Sequence, residues 1–226
     1  MKTDTLALFD LDNTLLPIDS DYEWGEFMVR IGAVDKAFYE KRNAEFFEQY
    51  QSGTLDPAEF LAFVLGTLAK FPRVQLNRWR QQFMDEVIHP AIRPAARNLL
   101  KKHQDNNDLV AIVTATNRFI TEPIAHALGV EHLIAAIPEE TPEGEITGKL
   151  VGIPTSGAGK IVHTENWLQT MNLSFDSFRH TYFYSDSDRD LPLLSRVNHP
   201  VAVNPNNRLK AYAEKQGWPL LQLFDD

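Results

Sequence analysis

Short, continuous apolar runs that alternate with helical patterns constrain this chain more than any other feature. Runs rich in β-formers occupy residues 5–9, 109–114, 133–138, 181–184 and 200–203, and several are apolar throughout instead of alternating. Continuous runs of that length mark strands covered on both faces. Between the later runs lie segments 92–103, 119–128, 160–171 and 206–215, with apolar residues at three- and four-residue spacing, the period of a helix packed on one side. Strand and helix in alternation predict an α/β fold, a doubly wound parallel sheet of Rossmann-like type with crossover helices. Residues 144–154, carrying Gly144, Gly148 and Gly152, predict a small β-hairpin or flap.

The first strand breaks the pattern. More than ninety residues separate it from the next, far more than a crossover needs. The intervening segment predicts an inserted helical domain over 19–89, with the core formed by 1–18 and 90–226. About four helices are expected there, with breaks near Gly32, 53–57 and Pro72. Its aromatic set (Tyr22, Trp24, Phe27, Phe38, Tyr39, Phe46, Phe47, Tyr50, Phe60, Phe63, Phe71, Trp79 and Phe83) reads first as a packed helical core, some of which could line a pocket.

Charge and composition exclude several classes. A net charge of -9 with no run of five like charges argues against a nucleic-acid binder. No apolar run approaches membrane-spanning length, so no membrane partner is expected. Met1-Lys2-Thr3-Asp4 runs straight into a short strand with acids behind it, unlike a signal peptide, and the expected location is the cytoplasm. Without cysteine there is neither a disulfide framework nor a thiolate metal site. The seven histidines show no metal-type spacing and are assigned to structure or surface.

Chemistry concentrates at the strand ends. The first strand runs into Asp10-Leu11-Asp12-Asn13-Thr14, which sets two carboxylates at one edge of a buried sheet. Ligands bind at the carboxyl ends of strands in such sheets, and hard oxygen ligands suit Mg²⁺. Thr114 closes the second run, Lys160 follows Gly157-Ala158-Gly159 at a helix start, and Asp186 and Asp190 follow the strand at 181–184. A carboxylate that attacks a phosphate monoester must overcome like-charge repulsion, which a divalent cation and a lysine relieve.

These stretches, in this order and across the whole chain, resemble the phosphatases of the haloacid dehalogenase-like superfamily, within it the phosphoserine phosphatase-like branch. The resemblance implies a Mg²⁺-dependent hydrolase of small phosphomonoesters with Asp10 as nucleophile and Asp12 as general acid and base. Thr114 would bind the transferred phosphoryl group through its hydroxyl, and Lys160 would stabilise it. Mg²⁺ would be held by Asp10, the Asp12 backbone carbonyl, Asp186 and Asp190, the last directly or through water. The insert at 19–89 would be the cap. Asp19 corresponds in position to an acidic substrate-binding residue of phosphoserine phosphatases and would favour a substrate with an amino group; Asn117 is a second candidate substrate contact. Arg30 and Arg42 could meet a carboxylate. Two positions depart from the family pattern: Ser185 replaces a frequent glycine, and Ala115-Thr116-Asn117 replaces a glycine pair.

Other functions fit less well. Gly157-Ala158-Gly159-Lys160 is not a P-loop, because the first glycine of that motif falls on Pro154 and the residue after lysine is Ile161. A signalling receiver phosphorylated on aspartate would lack Asp12 and the insert, and a haloalkanoate dehalogenase would lack the acid at Asp12. Expected substrates are amino-alcohol or amino-acid phosphates such as phosphoserine or histidinol phosphate.

Overall fold

The computed structural model describes residues 3–224, with the side chains of Phe47, Tyr50 and Gln51 outside that description. Met1, Lys2, Asp225 and Asp226 also lie outside it, so the reading of the first residues as no leader is not addressed. The strands are β1 (Thr5–Phe9), β2 (Leu109–Asn117), β3 (His132–Glu140), β4 (Ile146–Val151), β5 (His180–Ser185), β6 (His199–Val203) and β7 (Leu220–Leu221). They form one sheet in the order β4-β3-β2-β1-β5-β6-β7. All neighbours are parallel except β3 and β4, which pair antiparallel, so the segment 144–154 supplies one strand of a hairpin with β3 where a self-contained hairpin or flap was expected.

Helices α1 (Ser20–Arg30), α2 (Lys36–Ser52), α3 (Pro57–Leu68) and α4 (Arg73–Phe83) fill the insertion after β1. A π-helical turn, Met84–Ile88, and α5 (His89–Ala91) lead back to the core. There α6 (Pro94–Asp105), α7 (Arg118–Ala127), α8 (Ala158–Thr170), α9 (Leu191–Leu194) and α10 (Asn207–Gln216) cover the sheet. The π turn has no sequence precursor in the helical periodicity. It ends where Pro90, without an amide hydrogen, cannot continue the ladder, and the His89 N–H bonds back to the Met84 carbonyl.

The double-sided burial expected of the strands is observed. In β1, Ala7 and Phe9 join the larger apolar cluster on one face, while Leu6 and Leu8 join the cluster on the other. All four are fully buried, each large side chain contributing roughly 1.5–3 kcal/mol. β2 runs on to Asn117 instead of stopping at Thr114. Its β-branched Thr114 and Thr116 keep the backbone extended through an irregular register between Val113 and Asn117.

The aromatic insert divides in two. Trp24, Phe27 and Phe83 are buried together, and Trp24 stands edge-on to Phe83 at 5.3 Å and to Phe119 of α7 at 5.9 Å, which fixes α1 and α4 to the core. Tyr39, Phe46, Phe60 and Phe63 pack separately between α2 and α3, with Tyr39–Phe63 centroids at 5.1 Å and Phe46–Phe60 at 5.2 Å. Tyr22 and Phe38 lie outside these cores, exposed on the surface. The β3–β4 hairpin braces the cap: the Arg73 amide donates to Glu145 at 2.7 Å and its guanidinium to Glu140 at 2.8 Å. Among the described residues, no helix is long and apolar enough to cross a membrane.

Candidate active site

The chain reverses its winding at β1, with β2 on one side and β5 on the other, and the candidate residues gather at that crevice. Asp10 follows β1, and its amide prolongs the ladder by donating to the Tyr184 carbonyl at 2.9 Å. Phe9 pairs with Ile112, so Thr114 emerges on the neighbouring strand two residues beyond that pair. It is buried, and its hydroxyl accepts from the Thr116 amide at 3.2 Å.

Lys160 reaches the crevice from the first turn of α8. Its ammonium donates to Asp10 Oδ1 at 2.8 Å and to Asp190 Oδ2 at 2.6 Å, with only 2% of the residue exposed. Burial disfavours its charge, but the two carboxylates prevail and hold the ammonium well above the usual lysine range. Gly159 makes this approach possible. A Cβ there would lie 2.1 Å from the Pro154 carbonyl oxygen, so the glycines serve backbone packing ahead of the lysine.

Asp190, expected to hold Mg²⁺ directly or through water, accepts on Oδ2 from the Lys160 ammonium and from the Ser185 hydroxyl, which donates at 2.7 Å. Ser185, in the place of the frequent glycine, therefore holds the acid that holds the lysine. Burial raises the Asp190 carboxyl to about 6 against the opposing pull of Lys160. Asp186 is fixed by Thr14: its amide donates to the Thr14 hydroxyl at 3.0 Å, and that hydroxyl donates to Asp186 Oδ1 at 3.2 Å. Burial first, then the charges of Asp10 and Asp190, push the Asp186 carboxyl far above its ordinary range. Three carboxylates thus face one lysine.

Asp12 sits on the cap side. Its Oδ1 accepts from the Ser20 amide at 2.7 Å and its Oδ2 from the Thr116 hydroxyl at 2.8 Å. Burial, followed by the charge of Asp19, raises this carboxyl to about 7, against opposing contacts from Ser20. Asp19 caps α1, its Oδ1 accepting from the amides of Asp21 and Tyr22 at 3.0 Å each. It reaches solvent at the mouth of the crevice, yet is surrounded closely enough that burial raises its carboxyl. Asn117 is fully buried and caps α7, with Oδ1 accepting from the Ile120 amide at 3.3 Å, a cap position that differs from the expected substrate contact.

Three residues of this arrangement were not legible as functional: Thr116, Ser185 in its supporting role, and Asp21, whose carboxyl is buried beside Asp19. Thr116 had a usable signal, since it lies two residues past Thr114 and so on the same face of an extended strand. Arg30 and Arg42 are engaged elsewhere, with Glu86 and with Glu45 and Glu59 respectively. Two cavities of about 380 and 400 Å³ lie away from these groups: one around His103 and Tyr182 near the start of β1, the other between Arg73, Phe119 and Pro138.

Comparison with known proteins identifies the family of the chain. A histidinol-phosphatase of Neisseria meningitidis is 41% identical over 96% of this chain and 97% of its own length. A phosphoserine phosphatase of Mycobacterium tuberculosis is 29% identical over 95% and 69%. A solved protein of unknown function from Bordetella pertussis superposes with a TM-score of 0.94 at 44% identity, covering 99% of this chain and 100% of that one. A substrate-bound phosphoserine phosphatase shares the fold at a TM-score of 0.68 and 16% identity, over 98% and 93%. The model of the haloacid dehalogenase-like hydrolases matches residues 7–195, a stretch that includes Asp10, Thr114, Lys160, Asp186 and Asp190, and the chain belongs to that family.

Proposed function

We propose that this hydrolase is a Mg²⁺-dependent phosphatase that cleaves a small phosphomonoester through a phosphoaspartyl intermediate on Asp10. The observation that carries the proposal is the buried Lys160 ammonium bridging Asp10 and Asp190. It sits beside an acid, Asp12, whose carboxyl is raised to about 7. Residues 19–89 act as the cap, and 1–18 with 90–226 as the catalytic core.

The crevice fits a divalent cation. Three buried carboxylates share one buried lysine, and the excess negative charge falls on Asp186 and Asp10, both hard oxygen donors. Asp10 and Asp186, with the Asp12 backbone carbonyl, would hold it, and Asp190 serves chiefly to position Lys160. When bound, the ion supplies charge neutralisation at the phosphoryl oxygens.

An Asp10 carboxylate oxygen attacks phosphorus while the bond to the alcohol oxygen breaks, and Asp12 gives that oxygen its proton. Asp12, now a carboxylate, takes a proton from water as the water attacks the phosphoaspartate, releasing phosphate and restoring Asp10. The Thr116 hydroxyl can donate to the ionised Asp12 and accept from the protonated one, so it follows the acid through both steps. Thr114 and Lys160 stabilise the phosphoryl group in transit.

The substrate favoured is an amino-alcohol phosphate such as histidinol phosphate. The Neisseria relative supports this choice. The test is phosphate release from a panel of histidinol phosphate, phosphoserine and sugar phosphates, with and without Mg²⁺. Mg²⁺-dependent turnover greatest on histidinol phosphate is expected, and Asp10→Asn should lower it by at least about 10⁴-fold without unfolding the protein. Turnover surviving in Asp10→Asn would remove the nucleophile assignment.

A further inference from the structure

The turn between β6 and α10 joins the two loops that would hold the cation. In the sheet β1, β5 and β6 are successive neighbours, so the loops leaving their carboxyl ends lie side by side. The backbone of Asp186 is held on both sides: its amide donates to the Thr14 hydroxyl at 3.0 Å, and its carbonyl accepts from the Asn206 amide at 2.8 Å. The Asn206 side chain serves two elements. Its Oδ1 caps α10 by accepting from the Leu209 amide at 2.8 Å, and its Nδ2 donates to Asp188 Oδ1, also at 2.8 Å, in the loop that carries Asp186.

Asn204 does the same for the loop after β1. Its Nδ2 donates at 3.1 Å to the carbonyl of Asn13, the residue that follows Asp12 and its proposed Mg²⁺-binding carbonyl. Asn13 is left-handed at φ +57°, a conformation that residues other than glycine adopt uncommonly, so this bond holds a turn that the backbone alone does not favour. Asn204 is left-handed as well, at φ +42°, and its Oδ1 accepts from the amides of Leu223 and Phe224 at 2.7 and 3.3 Å. One side-chain amide thus donates to the loop and accepts from the chain beyond β7, a pairing open to asparagine and not to aspartate. Both asparagines follow the stretch that matches the family.

We propose that Asn204 and Asn206 are positioning residues for the divalent cation: through Asn13 and Asp188 they fix the loops of Asp12 and Asp186 against each other and so set the affinity of the site for Mg²⁺. The inference rests on the Mg²⁺-dependent phosphatase function stated above. Mg²⁺ demands near-octahedral oxygen donors at about 2.0–2.1 Å, and donors drawn from two loops meet that demand only if the loops keep their spacing. Contacts that orient metal ligands from behind typically contribute about 10- to 100-fold in metal affinity. The two side chains bond to loop groups and not to Asp12 or Lys160, so they act on the hold of the ion and leave proton transfer alone.

The experiment measures the Mg²⁺ dissociation constant by calorimetry, without substrate, in wild type, Asn204→Gly and Asn206→Ser. Glycine keeps the positive φ at 204 and serine keeps the cap of α10, so each change removes side-chain bonds while the backbone stays as it is. Each variant should bind Mg²⁺ about 10- to 100-fold more weakly, while kcat on p-nitrophenyl phosphate at saturating Mg²⁺ stays near that of wild type. The double variant Asn206→Asp/Asp188→Asn exchanges donor and acceptor at unchanged net charge, and should recover the affinity that Asn206→Ser loses. Lower melting temperatures with unchanged Mg²⁺ affinity would mark a merely structural role and overturn the inference, and so would an exchange variant as weak as Asn206→Ser. If a single variant does not fold, the exchange variant decides, wild-type affinity sustaining the inference and weakened affinity overturning it. A wild type that neither binds nor needs Mg²⁺ overturns the function and the inference together, whereas a Mg²⁺-dependent wild type matched in affinity by both single variants overturns the inference alone.

Discussion

Two groups of acids line one crevice, and they differ in whether the fold supplies a cation. On the core side Asp10, Asp186 and Asp190 surround Lys160, which bridges two of them through bonds of 2.8 and 2.6 Å. On the cap side no lysine or arginine among the described residues bonds to Asp12, Asp19 or Asp21, and each carboxyl is raised, foremost by burial. The core group has one cation for its three carboxylates, which leaves an excess of negative charge for a metal ion to meet. The cap group has none, and burial there favours the protonated acids.

The largest way to break this contrast is Lys160→Met. Loss of the ammonium leaves Asp10 and Asp190 buried without their partner, and removal of one member of a buried pair typically costs about 3–5 kcal/mol. Denaturant titration should show that loss, together with absent turnover. Asp21→Asn should move stability the other way or not at all, and a comparable loss in both variants would erase the distinction between the two groups. A second measurement sharpens the core side. Mg²⁺ binding only the folded state should raise stability by about 2.7 kcal/mol at a hundred times its dissociation constant. Asp186→Asn should abolish most of that increment in thermal melts, while Asp190→Asn should retain more of it, since Asp190 serves Lys160.

How much of this was legible in the sequence follows the same division. The core side was readable because each of its residues lies at the end of an apolar strand or the start of a helix, and strand ends in a parallel sheet converge by topology. Asp10, Thr114, Lys160 and Asp186 are brought together in this way. The finer division of labour was not readable: the bonds of Asp190 to Lys160 and to the Ser185 hydroxyl are tertiary contacts, and Ser185 read only as a replaced glycine. The cap side was nearly silent. Asp21 has the appearance of an ordinary first-turn acid, and its burial, like the packing of Tyr39 from α2 against Gly25, comes from tertiary contacts that no periodicity encodes. The helix breaks were legible from glycine and proline, but the pairing of 146–151 with β3 and the division of the aromatics into two clusters depended on tertiary packing. The exposure of Tyr22 and Phe38 did too.

The finest test concerns Asp12, which stands between the two groups. Burial, then Asp19, holds its carboxyl at about 7, so the acid form needed for departure of the alcohol persists to neutral pH. Turnover should therefore decline as pH rises through that value. Asp19→Asn removes the second cause, and the alkaline limb of kcat should move to lower pH, towards the ordinary carboxylate range. Stability carries the same sign. Between about pH 4 and 7 the folded protein keeps a proton on Asp12 that the unfolded chain releases, so this group's contribution is full at low pH and is lost as pH rises through the window. With Asp19 replaced the window narrows, and urea midpoints should fall less between those limits than in wild type. A limb that stays in place would mean that burial alone sets the acidity of Asp12, and the acids at the cap entrance would then act on the substrate without acting on the catalytic acid.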